Sequence, residues 1–167
     1  ERERESKKNE EIKVALQGDN NNITTIYLHY GVFSEREYFC LENTAYNECD
    51  FPAPDELGWQ PIKEKIIKEQ DIDHKLYNQL NVNELVKKLN NKYNVRLSND
   101  PARFMCNWIF YWSLYFIEKN KQSIDGNGDN EYAMFVHVPS FENANEKLQA
   151  EFAKDLVIGI AKTQLNV

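Results

Sequence analysis

The chain has 167 residues, a formal net charge of −7 and 41% hydrophobic residues. This length suits one domain, and the hydrophobic content supports a buried core, which excludes a wholly disordered chain. No run of about 18 apolar residues occurs, so we expect no membrane span, and the acidic charge argues against nucleic acid as a partner.

The first 22 residues are rich in charge and start at Glu1 rather than at a methionine. Ile12 and Leu16 are four residues apart, which predicts a charged helix with a thin apolar stripe, followed by a turn at 18–22. We expect residues 1–22 to be this helix and turn, and 23–167 to be the core of a single domain. The opening reads as the middle of a longer polypeptide.

The next segments predict strands and a long loop. Residues 23–30 are rich in β-branched and aromatic residues and end at Gly31, so they predict a buried strand, and 38–42 predicts a second one. Residues 46–60 contain two prolines and a glycine without any period, which predicts a long ordered loop of functional interest. Ile62, Ile66 and Ile67 then indicate a short helix or turn.

The middle of the chain predicts two helices around a short strand. Residues 83–94 have apolar residues at helical spacing, and 95–98 read as a strand. Asp100 and Pro101 are typical of a helix cap followed by proline in the first helical position, before the apolar stretch 104–117. If that helix starts at Pro101, position 106 lies more than one turn inside it.

The last elements complete an alternating pattern of strands and helices. Residues 133–138 predict a strand that stops at Pro139, and 145–164 predict a closing amphipathic helix with Leu148 in its apolar stripe. The alternation predicts an α/β fold, a three-layer α/β/α sandwich around a mostly parallel central sheet.

Three titratable residues fall at predicted strand ends and at a helix start. Glu42 ends a strand, Cys106 lies early in an apolar helix, and His137 lies near the end of a strand. Sites in α/β sheets gather at the carboxyl ends of strands, where such a set supplies a nucleophile, a base and an orienting carboxylate. Considered separately, such a cysteine is more often a small buried hydrophobic residue, and such a histidine a core residue.

Five separated blocks, in order, resemble the pyroglutamyl peptidase I family of cysteine peptidases. Four of the blocks match family sequence patterns, which are V-E-R-x-A-x-N, D-x-x-x-P-D-x-x-G-x-x-P, S-x-D-A-G-R-Y-L-C-N and F-V-H-V-P. The fifth block matches a family strand that ends in a Gly-bearing turn. In this chain the blocks are His29–Val32, Leu41–Asn47, Asp50–Pro61, Ser98–Asn107 and Phe135–Pro139.

The resemblance implies a thiol hydrolase that removes amino-terminal pyroglutamate from peptides without a metal or other cofactor. It implies Cys106 as the nucleophile, His137 as the general base and Glu42 as the orienting carboxylate. It also implies a substrate pocket at four further positions, which are Gly31, Val32, Phe104 and Met105.

Three departures from the family pattern lead to further expectations. The family's opening strand, helix and second strand have no counterpart here, so we expect the amino-terminal strands to be missing from this chain. An unseen amino-terminal segment or a protein partner would then complete the sheet. Asn43 replaces an arginine thought to stabilise the oxyanion, and Pro101-Ala102 replaces Ala-Gly before the nucleophile.

Two hypotheses follow from these residues. The first is a working pyroglutamyl peptidase, and the alternative is a catalytically inactive subunit with a structural role in a large assembly. The three cysteines form no C-x-x-C pair and no disulfide framework, which favours a reduced compartment, the cytoplasm or an organelle if the chain belongs to a larger assembly.

Overall fold

A five-stranded sheet forms the centre of the molecule. The computed structural model describes residues 12–17, 23–121 and 130–165. The strands of the central sheet are β1 (Ile12–Gln17), β2 (Ile23–Val32), β3 (Phe39–Glu42), β8 (Val95–Ser98) and β9 (Glu131–Val138). Their order in the sheet is β1-β2-β9-β3-β8.

The sheet is mixed. β2 pairs with β9 in parallel, and β3 pairs with β8 in parallel. The junction between the two parallel pairs is antiparallel and short, with Cys40 opposite His137 and Leu41 opposite Val136. β1 adds an antiparallel strand outside β2.

In the part of the chain that the structure describes, three helices cover the two faces of the sheet, which confirms the predicted α/β/α arrangement. Helices α1 (Val82–Leu89) and α3 (Glu146–Leu165) bury their apolar residues with one set of strand residues, such as Val136. Helix α2 (Met105–Lys121) buries its apolar residues against the strand residues that alternate with those, such as Phe135. Successive strand residues point to opposite faces, so the two apolar clusters lie on opposite sides of the sheet.

Local sequence accounts for the bounds of α1. The Asn81 side chain accepts a hydrogen bond from the backbone N–H of Glu84, which caps the helix, and Lys87 and Lys88 lie in its last turn. Its buried residues, Val82, Leu85 and Leu89, recur every three or four positions. The helix ends five residues before the predicted 94.

The prediction of a helix over the first part of the chain is wrong where the structure describes it. Residues 12–17 form β1, an antiparallel partner of β2. Apolar residues alternate at 12, 14 and 16, and this period of two favours a strand over the four-residue spacing that we read as a helix. Residues 1–11 and the predicted turn at 18–22 lie outside the described residues.

The prediction that α2 starts at Pro101 is also wrong, because the helix begins at Met105. Ala102 has a φ of 63°, in the left-handed region, which a right-handed helix does not contain. The Asp100 carboxylate accepts hydrogen bonds from the Ala102 backbone N–H and from Arg103, so it shapes a turn rather than capping the helix.

The remaining elements agree with the predictions to different degrees. The strand at 95–98 agrees in full, whereas Leu148 of the predicted stripe in α3 is 37% exposed. The predicted loop and the segment after it contain short strands, which form two small two-stranded sheets. These strands are β4 (Thr44–Tyr46), β5 (Glu48–Cys49), β6 (Glu64–Lys65) and β7 (Lys75–Tyr77).

Among the residues that the structure describes, no helix combines the length and the apolar character that a bilayer span requires.

Candidate active site

A buried carboxylate and a buried imidazole meet at the antiparallel junction of the sheet. The Nδ1 atom of His137 lies 2.7 Å from Oε1 of Glu42, and both side chains are almost fully buried. The register accounts for this contact. Cys40 is opposite His137, and Glu42, two residues further along β3, lies on the same face, within diagonal reach.

Cys106 is the second residue of α2 and lines a cavity of about 430 Å³ together with His137. The thiol therefore lies at a helix amino terminus, where backbone N–H groups lack intrahelical acceptors and favour negative charge. The lining residues are Val32, Phe33, Ser34, Glu35, Pro52, Pro101, Ala102, Phe104, Cys106 and His137.

Asn107 anchors the start of α2 to the neighbouring β4–β5 segment. Its amide Nδ2 donates to the carbonyl oxygens of Tyr46 and Glu48, both at 2.8 Å, and its Oδ1 accepts from the Tyr46 backbone N–H at 2.8 Å. The side chain is fully buried. Three hydrogen bonds from this buried amide hold the residue next to Cys106 in place.

Arg103 fixes the loop before the helix. Its Nε lies 3.2 Å from Glu48 Oε2, its Nη1 lies 2.7 Å from Asp100 Oδ1, and its guanidinium stacks 3.7 Å from the centroid of the Tyr46 ring. These contacts tie the loop to the same β4–β5 segment as Asn107. The approach to Cys106 is therefore held on both sides.

The environment of Cys106 disfavours the thiolate in the resting chain. Burial raises the pKa of Cys106 to about 11, and the negative charge of Glu42 contributes in the same direction. Among the described residues, no hydrogen bond joins Cys106 Sγ to the His137 ring. Catalytic hydrogen bonds are often long before substrate binds, so the shared cavity is the more informative feature.

Gly31 leaves the space that the thiol occupies. It pairs with His137 in the β2–β9 register, within β2 rather than in the turn we expected. A Cβ atom at this position would lie 2.9 Å from Cys106 Sγ and 2.8 Å from the Phe135 ring. Both distances are shorter than real Cβ contacts, so the close packing of β2 against the start of α2 requires glycine here.

The structure brings together most of the predicted site residues. Val32 and Phe104 line the cavity with Cys106 and His137, and Glu42 lies behind His137. Met105 is 50% exposed and does not line the cavity, because it precedes Cys106 by one helical position and points elsewhere.

Asn43 is engaged away from the cavity. Its side-chain Nδ2 donates to Asn99 Oδ1 at 2.9 Å, and its backbone N–H donates to Ser98 O at 2.7 Å. Asn43 is not one of the cavity-lining residues. The amide that replaces the family's arginine is therefore committed to a structural contact in this conformation.

Three residues of this region were missed by our sequence reasoning. Phe33 lines the cavity and presents its ring edge-on to His137, at 5.3 Å between ring centroids. Arg36 lies 3.5 Å from Glu42 Oε1. Asn107 had a usable signal, since a polar residue inside an apolar helical stretch needs buried partners. Phe33 and Arg36 lie in the turn after β2, and no local sequence pattern indicates the contacts of that turn.

A second cavity of about 480 Å³ runs along α2, but its lining carries mainly aromatic and aliphatic groups. These residues are Tyr27, Trp108, Ile109, Trp112, Ser113 and Phe116. The smaller cavity holds the cysteine and the histidine, so it is the stronger candidate for chemistry. Within the described ranges, no cluster of three or more His, Cys, Asp or Glu side chains has the arrangement of a metal site.

A cysteine at a helix start, a histidine in the same cavity and a buried carboxylate on that histidine are the arrangement of side chains that cysteine hydrolases with a Cys-His-carboxylate set use. Comparison with known proteins narrows this class. The sequence matches the pyroglutamyl peptidase family over residues 6–154. The chain therefore belongs to the pyroglutamyl peptidase family, as its motifs predicted.

Curated relatives agree with this assignment. A pyrrolidone-carboxylate peptidase of Brachyspira hyodysenteriae is 33% identical over 116 residues, which are 68% of this chain and 53% of that protein. One from Oceanobacillus iheyensis is 30% identical over 111 residues, 66% of this chain and 51% of that protein. The chain thus spans about half the length of the curated relatives it matches.

Solved structures share the fold. Pyroglutamyl peptidase I of Bacillus amyloliquefaciens superposes with a TM-score of 0.68 at 20% identity, covering 85% of this chain and 68% of that one. The pyrrolidone carboxyl peptidase of Thermococcus litoralis gives a TM-score of 0.67 at 23% identity, covering 84% and 66%. At such identities the likeness establishes the α/β architecture.

Proposed function

We propose that this chain is a cysteine hydrolase that removes amino-terminal pyroglutamate from peptides. The single observation that carries the proposal is the Glu42–His137 contact of 2.7 Å beside a cavity that Cys106 also lines. The family assignment supports the substrate class, because the relatives are named pyrrolidone-carboxylate peptidases.

Each residue of the set has one role. His137 takes the proton of the Cys106 thiol as the sulfur attacks the carbonyl carbon of the pyroglutamyl residue, in the peptide bond to the next residue. Glu42 accepts the Nδ1–H hydrogen bond, which leaves the other ring nitrogen as the base and stabilises the imidazolium that forms. The low tendency of Cys106 to ionise by itself means that His137 must accept the proton in the same step.

The reaction then proceeds through two tetrahedral intermediates. His137 returns its proton to the leaving amine, which departs and leaves a thioester between Cys106 and the pyroglutamyl group. A water molecule gives a proton to His137 and attacks the thioester, and the thiol is regenerated as pyroglutamate leaves. Backbone N–H groups at the start of α2 are suited to stabilise each oxyanion, since Asn43 is engaged with Asn99.

The cavity is the site of the pyroglutamyl ring in this proposal. Val32, Phe33 and Phe104 contribute apolar surface to it, beside the catalytic groups. An apolar pocket with a few polar groups suits a small uncharged lactam. Val32 and Phe104 are substrate-binding residues in this proposal, and Gly31 provides room for the thiol. Met105, which is 50% exposed, contributes less.

The test is hydrolysis of pyroglutamyl-aminomethylcoumarin by the full chain, with prolyl-aminomethylcoumarin as the substrate that lacks the lactam carbonyl. We expect release of coumarin from the first substrate only. Cys106→Ala should reduce the rate at least about a thousandfold. Cys49→Ala is the matched control, because Cys49 is a buried thiol that is held by the Glu64 carbonyl and lies outside the cavity.

The outcomes separate the two hypotheses. Turnover that survives Cys106→Ala contradicts the assigned nucleophile. A folded chain that releases no coumarin from either substrate contradicts the proposed activity and favours the alternative of an inactive structural subunit.

We also propose that further polypeptide, from an unseen segment or a partner protein, pairs with the sheet. In the described sheet, β1 and β8 each have one neighbouring strand, which leaves an outer edge available at either side. Amide hydrogen exchange should be slower at β1 or β8 in the natural full-length protein with its partners than in this chain. Equal exchange at both strands would contradict the proposal.

A reduced compartment, such as the cytoplasm, is part of the same proposal. Cys40, Cys49 and Cys106 are all free thiols, and the first two are buried. A thiol nucleophile needs a reduced sulfur to attack. Localisation of the tagged natural protein to an oxidising compartment would contradict this assignment.

A further inference from the structure

Arg36 lies in the turn between β2 and β3 and reaches over the face of β3 that carries the site. Its Nη1 donates to Cys40 Sγ at 3.1 Å and lies 3.5 Å from Glu42 Oε1. Its guanidinium lies 4.1 Å from the centroid of the Phe33 ring, and its backbone N–H donates to the Phe33 carbonyl. The side chain is 20% exposed, so this ion pair is largely shielded from water.

Glu42 needs such a cation. The carboxylate is fully buried, and among the described residues its only other side-chain partner is the His137 ring. Its second oxygen, Oε2, has no hydrogen-bond partner in the described part of the chain. A buried carboxylate with one hydrogen bond is costly unless a positive charge lies nearby. Among the described lysines and arginines, Arg36 alone forms an ion pair with Glu42.

Arg36 also reaches the base through Phe33. The Phe33 ring packs between the guanidinium, at 4.1 Å, and the His137 ring, which it meets edge-on at 5.3 Å. His137 is thus held by Glu42 at Nδ1 and by Phe33 at the ring, and Arg36 contacts both of these partners. The same turn supplies the residues that fix the base and residues that line the cavity.

We propose that Arg36 is a positioning residue of this site, which holds the Glu42 carboxylate behind His137 and offsets its negative charge near Cys106. The prediction for catalytic rate rests on the proposed function, whereas the prediction for thiol reactivity does not. The Glu42 charge is one cause of the raised pKa of Cys106, so a cation on Glu42 favours the reactive thiolate.

Besides His137, four titratable or charged side chains lie around the Arg36–Glu42 pair. They are Glu35 in the turn after β2, Cys40 in β3, Arg96 in β8 and Cys106 in α2. Arg36 is the cation in direct contact with Glu42.

The experiment measures the rate at which iodoacetamide alkylates Cys106 in the full chain between pH 6 and 10, read from the mass of the Cys106 peptide. We expect Arg36→Met to react about tenfold more slowly at neutral pH, equivalent to a shift of one pKa unit. Arg36→Lys keeps the charge and should stay within about threefold of the unchanged chain. Arg96→Met is the control, because Arg96 stacks on Tyr38 and makes no ion pair with Glu42.

A double-mutant cycle with Glu42→Gln makes the test specific. The effect of Arg36→Met should fall from about tenfold to below about threefold when Glu42 is already neutral, because the two residues are coupled. Equal losses in both backgrounds, or no loss in either, would overturn the proposal. Circular dichroism of each variant confirms that the folded chain is the species compared.

Peptidase kinetics provide the second readout. Arg36→Met should lower kcat and leave KM within about twofold, because Arg36 acts on the base rather than on the substrate. A rise in KM with unchanged kcat would assign Arg36 to substrate binding and overturn a positioning role. If the chain has no peptidase activity, the alkylation cycle still decides the proposal.

Discussion

The two faces of the central sheet are built from the same strands but carry different kinds of residues. Along β9, Met134, Val136 and Val138 enter the hydrophobic cluster under α1 and α3. The alternate residues Phe135 and His137 face α2, where buried polar groups accompany the hydrophobic ones. The face under α1 and α3 therefore supplies stability, and the face under α2 supplies both stability and the chemical groups.

This difference shows how a short strand can serve both purposes. Phe39 and Leu41 of β3 belong to the hydrophobic cluster under α1 and α3, whereas Cys40 and Glu42 face the site. Because side chains alternate along a strand, hydrophobic packing on one face holds the polar residues of the other face in register. Substitutions on the two faces should accordingly affect different measurements.

The largest effect is expected at Glu42. Glu42→Gln keeps the shape but removes the charge that stabilises the His137 imidazolium, so kcat should fall on the order of 10⁴-fold. Steady-state hydrolysis of pyroglutamyl-aminomethylcoumarin measures it. The far-ultraviolet circular dichroism spectrum should stay unchanged, and a kcat within tenfold of the unchanged chain would contradict the assigned role.

The opposite face should respond in stability. Phe152 is fully buried, stacks on Phe39 at 3.9 Å between ring centroids and meets Tyr93 edge-on. Phe152→Ala should lower the free energy of unfolding by about 3–5 kcal/mol, because it removes a large buried ring and leaves a cavity. Urea denaturation measures the change, and the folded fraction should keep its kcat. A loss below 1 kcal/mol would contradict the assignment of this face as the main stabilising core.

Substitution of Asn107 should change both the free energy of unfolding and kcat. Asn107→Ala removes three buried hydrogen bonds and leaves the Tyr46 and Glu48 backbone groups without these partners. We expect a loss of about 2–3 kcal/mol in the free energy of unfolding and a lower kcat, because the start of α2 loosens. The control is Asn91→Ala at an exposed turn position. An unchanged kcat would show that the anchor is purely structural.

Two glycines allow a matched comparison of the faces. A Cβ at Gly31 would press on Cys106 Sγ at 2.9 Å, whereas one at Gly159 in α3 would lie 3.4 Å from Leu85. Gly31→Ala should cost about 1–3 kcal/mol and slow alkylation of Cys106, since the neighbours must shift. Gly159→Ala should be close to neutral, because alanine favours the helix. Equal effects of the two substitutions would contradict the argument from space.

A further effect is expected from pH. Burial raises the pKa of both Cys106 and Cys49 from 9.0 to about 11. The folded chain thus holds these protons more tightly than the unfolded chain. The contribution of these two thiols to the free energy of unfolding is complete below pH 9, and it is lost as the pH rises through about 11. Chemical denaturation between pH 8 and 11 should show this decline, and it should be weaker in the Cys49→Ala, Cys106→Ala double variant. An identical decline in that variant would assign the pH dependence to other groups.

Some elements of the fold could be predicted from the sequence, and others could not. The strands at 95–98 and in β9 and the closing helix were predictable, because their periodicity and boundary residues are local. The start of β1 was not, since the four-residue spacing of Ile12 and Leu16 coexists with an alternation at 12, 14 and 16. Pairing with β2, the next strand along the chain, selects the strand.

The sequence by itself determined the types of residue at the site and their order, and five collinear motifs were sufficient to predict the family. It could not place Glu42 against His137, because 95 residues separate them and the β3–β9 register alone brings them together. Nor could it place the start of α2, where the left-handed Ala102 and the buried Asn107 put Cys106 in the first turn. Only the tertiary structure decides such contacts, because the free energy that favours them comes from groups distant in the chain.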